Sequence, residues 1–441
     1  MHSWGGLLHL AFAVAVVSAV AAAGGALARR VGQPRVVGEI AGGIALGPSL
    51  LGALAPGAGA ALFRPETRHG LAQLATVGVV LFMFAVGLDL DAESRERGRV
   101  AVALTHANLL VVAALGVPLA LVVFPSFAGA GTSRLAFTAF LSVALAVTAL
   151  PVLARMLQDS PVAVRPLAGL ALTCAALSDA AAWSALIAVV ALATAASPLA
   201  GARALALAVA LAAVALALVR PVALRAMRRA SASGRGRSAL LVVSLALLAC
   251  FATATNAIGI HAICGAFLAG FTLRGLRPLL GRGYRSLTAV NDVLLLPVFF
   301  AVLGLKMDVR HLASNPRLLL GGLLVLAVAV AGKVGGVAAT GRVCGLSWRD
   351  AAGLGFLLNT RGLTEAIVLQ IGLALGVLTS DGFSVLILVT LITTLMTLPA
   401  LRAIGLGHAR EAPERERLPA VGSAPALAGG ESRLAGARRV A

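Results

Sequence analysis

Four ionisable residues lie inside long apolar runs of this sequence, where charged side chains are rare. Asp179 lies in "CAALSDAAAW", Lys333 in "AVAGKVGG", and Arg361 and Glu365 in "NTRGLTEAIV". If these runs cross a membrane, a charge near the bilayer centre costs about 2.5–3.5 kcal/mol on insertion scales, so such groups pair or mark a path for ions or protons. We therefore expect Asp179 to bind a proton or a cation. A salt bridge that holds two helices together is the alternative for each group.

Lysine is used only twice in the chain, at Lys306 and Lys333, although arginine is abundant. A buried ammonium can lose its proton, whereas a guanidinium effectively cannot. We therefore expect Lys333 to lie beside Asp179 and to take part in proton coupling, with structural pairing as the alternative. Arg361 and Glu365 are four residues apart, a spacing that places them on one helix face and predicts a structural pair.

Two apolar runs contain helix breakers next to polar residues. The run "AVTALPVLARML" carries Thr148 and Pro151, and the run "GLGFLLNTRGLTEAI" carries Asn359, Thr360 and Gly362. Proline lacks an N–H group and clashes with a carbonyl one turn earlier, and in lipid the freed backbone groups need protein, water or an ion as partners. Interrupted helices at corresponding positions of two halves predict a transport site. An ordinary proline kink is the alternative.

The elements that must position these residues are membrane spans. The chain is 60% apolar and 12% charged, about half the charged fraction of ordinary soluble domains. This composition, together with the long apolar runs, predicts an all-α polytopic membrane protein. The transmembrane domain is predicted over residues 1–404, and a polar, disordered tail over 405–441. The thirteen predicted helices cover residues 6–28, 35–54, 71–89, 99–124, 134–157, 163–194, 202–220, 238–257, 260–274, 289–307, 317–343, 350–377 and 382–404.

The basic residues orient these spans. Twenty arginines fall in or beside the odd-numbered loops, whereas seven lysines and arginines fall in the even-numbered loops. By the positive-inside rule the N-terminus lies outside and the tail is cytoplasmic. The same distribution explains the net charge of +19 without nucleic-acid binding, since the basic residues lie in short loops between apolar runs and the chain has only one tyrosine. The first apolar run has no Lys or Arg before it, which favours a retained span over a cleaved signal peptide.

Seven strings, in order and at matching spacing, are distributed along the apolar part of the chain, from residue 36 to residue 379. They are "VVGEIAGGIALGPSLLG", "LFMFAVGLDLD", "VTALPVLARML", "LSDAAAW", "HAICGAFLAGF", "LLLPVFFAVLGLKMD" and "NTRGLTEAIVLQIGLALGVLT". With them the sequence resembles the monovalent cation:proton antiporter superfamily, especially its second family of Kef-type and plant and fungal cation–proton exchangers.

The resemblance implies a sodium/proton antiporter-like fold of two inverted repeats. A scaffold bundle would form a homodimer, and a mobile core bundle would hold two crossed, discontinuous helices. Asp179 matches the ion-binding carboxylate of the family. The threonine and proline of one crossed helix match Thr148 and Pro151, and the basic residues of the core match Lys333 and Arg361.

Ser178 departs from the family pattern, because relatives often carry Asp or Asn at this position. With a single acid, electroneutral exchange is expected. The implied partners are Na⁺ or K⁺, H⁺ and membrane lipid, with no cofactor. Thr148, Ser178 and freed carbonyls are expected to supply the oxygen ligands that hard cations prefer. The abundant alanine and arginine fit a GC-rich bacterium and hence its cytoplasmic membrane.

Three rival functions are considered. A cation channel needs a selectivity filter, and the chain has no TVGYG-like string. An organic-anion symporter of related architecture would favour a site without the pair of Asp179 and Lys333. An intramembrane enzyme is disfavoured because neither GxSxG nor HExxH is present.

Overall fold

A computed structural model describes residues 4–89, 98–159, 165–194, 198–232, 237–258 and 261–406. Within these ranges the chain is helical without strands, apart from one isolated bridge between Ala128 and Leu378. The first eleven helices are α1 Trp4–Arg30, α2 Arg35–Leu46, α3 Leu51–Leu54, α4 Pro56–Leu62, α5 Pro65–Asp89, α6 Gly98–Phe127, α7 Arg134–Ala146, α8 Leu150–Asp159, α9 Arg165–Thr194, α10 Pro198–Val214 and α11 Arg220–Ala232. The other ten are α12 Arg237–Ile258, α13 Ala262–Thr272, α14 Arg277–Val290, α15 Leu296–Leu305, α16 Val309–Ser314, α17 Pro316–Val330, α18 Gly336–Val343, α19 Trp348–Leu358, α20 Leu363–Ala374 and α21 Ser380–Ala403.

Three pairs of these helices are continuous through a π-helical turn. The turns are Ala215–Val219 between α10 and α11, Asn291–Leu295 between α14 and α15, and Ala331–Gly335 between α17 and α18. Single π-helical turns occur frequently at functional sites. The third of them contains Lys333.

The all-α membrane character predicted from the sequence is confirmed. In the described part of the chain, ten helical segments are long and apolar enough to cross a membrane, and three shorter apolar helices accompany them, namely α7, α13 and α20. The total of thirteen spans and the inverted repeat stay predictions. Of the predicted disordered tail, residues 407–441 lie outside the described residues.

Part of the predicted helix over 35–54 was wrong. The helix ends at Leu46, the chain is extended at Gly47, and α3 begins at Leu51. The reason is Pro48, because a residue that precedes proline is disfavoured in helical conformation. Two short helices, α4 and α16, were not predicted, since each is shorter than the periodic pattern that identifies a span. Most of α11 and of α14 also lies outside the predicted helices, because their arginines were assigned to loops.

The helices form two sets. The first set comprises α1, α2, α5 and α12 to α15, and the second comprises α6 to α9 and α16 to α21; the principal packing contacts fall within each set. Helix α10 packs against both α9 and α12 and so connects the sets. Both sequence segments with helix breakers belong to the second set. This division corresponds to the scaffold and core bundles that the resemblance implies.

Small residues bring the helices of the first set into close contact. A Cβ atom at Gly24 of α1 or at Gly38 of α2 would collide with the backbone of the other helix. Gly43 of α2 and Gly304 of α15 meet the facing backbones in the same way. In membranes, helices associate largely through such close packing, because lipid supplies no hydrophobic force between them. The first set is therefore suited to act as one rigid body.

Between the two sets lies a cavity of about 650 Å³. Residues of the first set, including Lys306, and residues of the second set, including Leu373 and Ser380, line it. Lys306 follows the last residue of α15, and its Nζ donates to Oε1 of Gln370 on α20 at 3.1 Å. This hydrogen bond joins the two sets at the cavity.

Candidate functional site

The two predicted helix interruptions are present and lie against each other. The first separates α7 from α8 at residues 147–149, and the second separates α19 from α20 at residues 359–362. The N–H of Ala149 donates to the Thr360 carbonyl at 3.1 Å, and Oγ1 of Thr148 donates to the Leu358 carbonyl at 3.0 Å. Each interruption thus satisfies part of the backbone that the other leaves free, as burial in lipid requires.

Glycine permits the second interruption. Gly362 has φ 154° and ψ −117°, which side-chain-bearing residues avoid. A Cβ atom at this position would lie 2.8 Å from Cγ2 of Val152 on α8. The conformation and the close approach both require glycine, and α20 begins directly after it.

Lys333 joins the ends of the two half-helices α7 and α19. The ammonium, which is fully buried, donates to the Val147 carbonyl, to Oγ1 of Thr148 at 2.9 Å and to the Leu358 carbonyl at 3.3 Å. The last carbonyls of a helix have no intrahelical partner and carry a partial negative charge. A cation at this place therefore stabilises both C-terminal ends at once.

Arg361 has the same role at α7 from inside the second interruption. Its guanidinium donates to the Leu145 carbonyl at 2.8 Å and to the Ala144 carbonyl at 3.4 Å, and it forms an ion pair with Glu365. Glu365 lies in the first turn of α20, where a negative charge is favourable. The pairing of Arg361 and Glu365 expected from their spacing is present.

Asp179 lies in α9 and has no exposed surface. Neither of its carboxylate oxygens has a hydrogen-bond partner among the residues that the structure describes. The carboxylate interacts electrostatically with the Leu150 backbone amide, at the start of α8, and with Lys333. The Lys333 ammonium nevertheless forms no ion pair with Asp179, and it lies more than 4.0 Å from both carboxylate oxygens of this described side chain. Asp179 thus lies near Lys333 without direct contact.

Two further buried side chains have polar atoms without partners. The hydroxyl of Ser178 and both amide atoms of Asn359 make no hydrogen bond within the described part of the chain. An unsatisfied buried polar group costs about 1–3 kcal/mol. Asp179 and Ser178 offer oxygen atoms, and Asn359 offers an amide oxygen and an amide nitrogen. Oxygen ligands of this kind suit a hard monovalent cation, or a proton together with water.

Thr148 differs from the expected free ligand. Its hydroxyl donates to Leu358 and accepts from Lys333, so in this conformation it connects the interruptions. Pro151, expected to break the helix, is the second residue of α8, a position where its missing N–H has no cost. The predicted interruption therefore lies just before the proline.

The contribution of α21 was not predicted from the sequence. Thr394 accepts from the Arg361 N–H at 3.1 Å and donates to the Arg361 carbonyl at 2.7 Å, and Thr397 lies 3.4 Å from the Thr360 hydroxyl. These threonines, with Thr390 and Thr393, repeat at intervals of three and four residues and are all buried. That spacing on one helix face was a readable signal for a polar helix against the second interruption.

Comparison with known proteins agrees with this geometry. The family model for the sodium/hydrogen exchanger transmembrane domain matches residues 14–403. The chain is 35% identical over 395 residues to the Na⁺/H⁺ antiporter NhaS4 of Synechocystis, covering 89% of this chain and 96% of that one. It is 34% identical over 404 residues to cation/H⁺ antiporter 19 of Arabidopsis thaliana, covering 87% of this chain but 48% of the plant protein. It is 27% identical to K⁺/H⁺ antiporter 1 of Saccharomyces cerevisiae, of which it covers 43%.

The chain therefore belongs to the sodium/hydrogen exchanger family, within the cation:proton antiporter superfamily. This is a family of transporters, not of enzymes. The fold of this chain is similar to that of the sodium proton antiporter MjNhaP1 from Methanocaldococcus jannaschii. The TM-score is 0.63 over 91% of this chain and 97% of that one, at 14% identity.

Proposed function

We propose that this protein exchanges a monovalent cation, Na⁺ or K⁺, for H⁺ across a membrane, and that the two ions compete for Asp179. The observation that carries the proposal is the buried carboxylate with two unpartnered oxygens beside two interrupted helices. The relatives named as Na⁺/H⁺, cation/H⁺ and K⁺/H⁺ antiporters support it.

The geometry suggests how the competition works. The start of α8, including the Leu150 amide, favours a negative charge on Asp179, and so does the nearby Lys333 ammonium. Burial opposes that charge. Binding of a proton or of a cation neutralises the buried carboxylate, and one carboxylate cannot hold both. Ser178, Asn359 and, after its bridge opens, Thr148 would supply further oxygen atoms.

Exchange requires alternating access, because Asp179 has no exposed surface and is absent from the lining of the cavity between the sets. In the proposed cycle the second set moves against the first only when Asp179 is neutralised by either ion. Since the carboxylate must be loaded for each passage, a proton moves one way and a cation the other.

The remaining features follow from the resemblance and from the arginine distribution. We expect a homodimer formed through the first set, in the cytoplasmic membrane of a bacterium, with the N-terminus outside and the tail in the cytoplasm. Thiol labelling of single cysteines placed at each terminus, from either side of intact cells, would test this orientation.

The exchange itself is testable in proteoliposomes that contain a pH-sensitive dye. The interior of the liposomes is first made more acidic than the outside. Addition of Na⁺, K⁺, Li⁺ or Rb⁺ to the outside should then let internal protons leave in exchange for each cation that the protein transports. A protein with no response to any of the four cations would contradict the proposed function.

Asp179→Asn should abolish exchange without unfolding the protein. Asparagine has nearly the same shape but cannot take up and release a proton, and removal of an uncompensated buried acid should leave the melting temperature unchanged or higher. The matched control is Glu66→Gln, which changes an exposed acid of the first set. Cation-driven proton flux at the wild-type rate in the folded Asp179→Asn variant would disprove competition at this carboxylate.

A further inference from the structure

Asn108 is a buried polar residue of the second set that does not belong to the residues already assigned to the Asp179 site. Asn108 of α6 has no exposed surface, and neither its amide nitrogen nor its amide oxygen has a hydrogen-bond partner among the described residues. A buried amide with both atoms unsatisfied is costly and calls for an explanation such as an ion or water. The amide in a span also costs more than an apolar residue of the same size would.

The helix contacts place Asn108 close to Asp179 along the bundle. Oγ1 of Thr105 lies 3.4 Å from the Cys174 carbonyl, and Sγ of Cys174 lies 3.7 Å from the Ala101 carbonyl. The carbonyl of a helical residue points toward the C-terminal end of its helix and the side chain leans toward the N-terminal end. The contacts of the Cys174 carbonyl with Thr105 and of the Cys174 side chain with Ala101, one turn earlier on α6, therefore indicate that α6 and α9 run parallel. Because Asn108 lies three residues beyond Thr105, it comes level with Leu177 and Ser178, directly before Asp179 on α9.

A second contact places α6 against the helix that carries Lys333. Side-chain carbon Cγ2 of Val112 would lie 3.4 Å from a Cβ at Gly332, the residue before Lys333. Ala101, Thr105, Asn108 and Val112 are all buried and repeat at intervals of three and four residues, so they share one face of α6. On that face Asn108 lies between the contact with α9 and the contact beside Lys333.

We propose that Asn108 is a cation-binding residue of the Asp179 site, which contributes its amide oxygen to Na⁺ or K⁺ from α6. An amide oxygen suits a hard cation and adds no charge. With Ser178 and Asn359, whose polar atoms also lack partners, it would complete a set of neutral oxygen atoms around the single carboxylate. This inference rests on the proposed exchange function.

Asn108→Leu is the direct test, because leucine replaces the amide with apolar atoms of similar volume. The KM for the cation should rise on the order of tenfold, since a group that binds a charge is lost, while kcat changes little. The melting temperature in the absence of cation should stay the same or rise, because two unsatisfied atoms are removed. A merely structural amide would change stability without changing the KM.

The matched control is Asn291→Leu. Asn291 is also buried and its Oδ1 also lacks a partner in the described part of the chain, but it lies in the first set, in the π-helical turn before α15. A KM of Asn108→Leu within twofold of the KM of Asn291→Leu overturns the proposal. If Asn108→Leu does not fold, Asn108→Ser takes its place: its hydroxyl is too short to replace the amide oxygen, so a raised KM supports the proposal and an unchanged KM overturns it.

The outcome is distinguishable from failure of the exchange function. If the wild-type protein shows no cation-driven proton flux, the proposed function fails before any variant is compared. If the wild type exchanges ions and Asp179→Asn does not, an unchanged KM in the Asn108 variants rejects only the role of Asn108.

Discussion

Asp179 and Lys333 have different surroundings although both are fully buried. Asp179 has no hydrogen-bond partner among the described residues, whereas Lys333 donates to two carbonyls and a hydroxyl. The carboxylate is thus available to an ion, and the ammonium is held by the backbone of the interruptions. Lys333 acts on Asp179 through its charge and at the same time connects α7 to α19.

Lys333→Gln should move the pH optimum of exchange to higher values. Loss of a nearby positive charge makes the ionised form of Asp179 less favourable, and Asp179 must be ionised to bind a cation. The pH–activity profile in proteoliposomes measures the shift. Lys306→Gln is the control, since it removes the only other lysine and lies beyond the end of α15.

The melting temperature of the same variant separates the two roles of Lys333. It should fall, because the carbonyls of Val147 and Leu358 lose a charged donor. A lowered melting temperature with an unmoved pH optimum would show that Lys333 is structural only.

At the scale of the elements, each interrupted helix has a charge of the appropriate sign at its broken ends. The C-terminal ends of α7 and α19 receive Lys333 and Arg361, and the N-terminal ends of α8 and α20 face Asp179 and Glu365. The free carbonyls and amides of these ends make each arrangement favourable. The positive side chains of Lys333 and Arg361 already compensate the C-terminal ends. Asp179, which faces the start of α8, is therefore the charged group that needs a bound cation.

Arg361→Gln should destabilise the protein strongly. It leaves Glu365 as an unpaired buried charge and removes two donors from the end of α7, and breaking such a pair costs about 3–5 kcal/mol. The melting temperature, followed by the fluorescence of the three tryptophans, should fall by roughly 4–6 °C. The double variant Arg361→Gln with Glu365→Gln should recover part of the loss. Equal melting temperatures for the wild type and Arg361→Gln would contradict the structural pair.

At the scale of the whole molecule, the two helix sets have different tasks. Glycines allow close backbone packing in both sets, but only the second set carries the two interruptions and the charged residues of the site. The hydrogen bond from Lys306 to Gln370 crosses between the sets, while the contact of His311 with Asp381 at 3.5 Å lies within the second set. These two contacts make a matched pair for a test of relative motion.

A covalent link between residues 306 and 370 should stop exchange. Both residues would be changed to cysteine in a variant without Cys174, Cys250, Cys264 and Cys344, and joined with a reducible bifunctional thiol reagent. Movement of one set against the other is then blocked, and reduction should restore the flux. The same treatment of cysteines at positions 311 and 381 should leave exchange intact. Full activity of the linked 306–370 variant would contradict motion between the sets at this point.

Exchange by this protein should be electroneutral. The residue before Asp179 is Ser178 and not a second acid, so one carboxylate carries either one proton or one cation. An imposed membrane potential should therefore drive no steady proton flux in liposomes with cation on both sides. A strong and steady dependence on the potential would indicate a second titrating group, and Lys333 is the first candidate.

The sequence by itself determined the membrane character, both interruptions and the buried charges, because each is a local pattern: apolar length, a breaker beside polar residues, or a charge within an apolar run. It also predicted the pair of Arg361 and Glu365, which are four residues apart. Tertiary structure alone decided that Lys333 reaches the carbonyl of Val147, 186 residues away, and that the Thr148 hydroxyl connects the interruptions instead of remaining free. It also aligned Asn108 with the turn of Asp179, because a lone asparagine in an apolar run acquires meaning only from the helices packed around it.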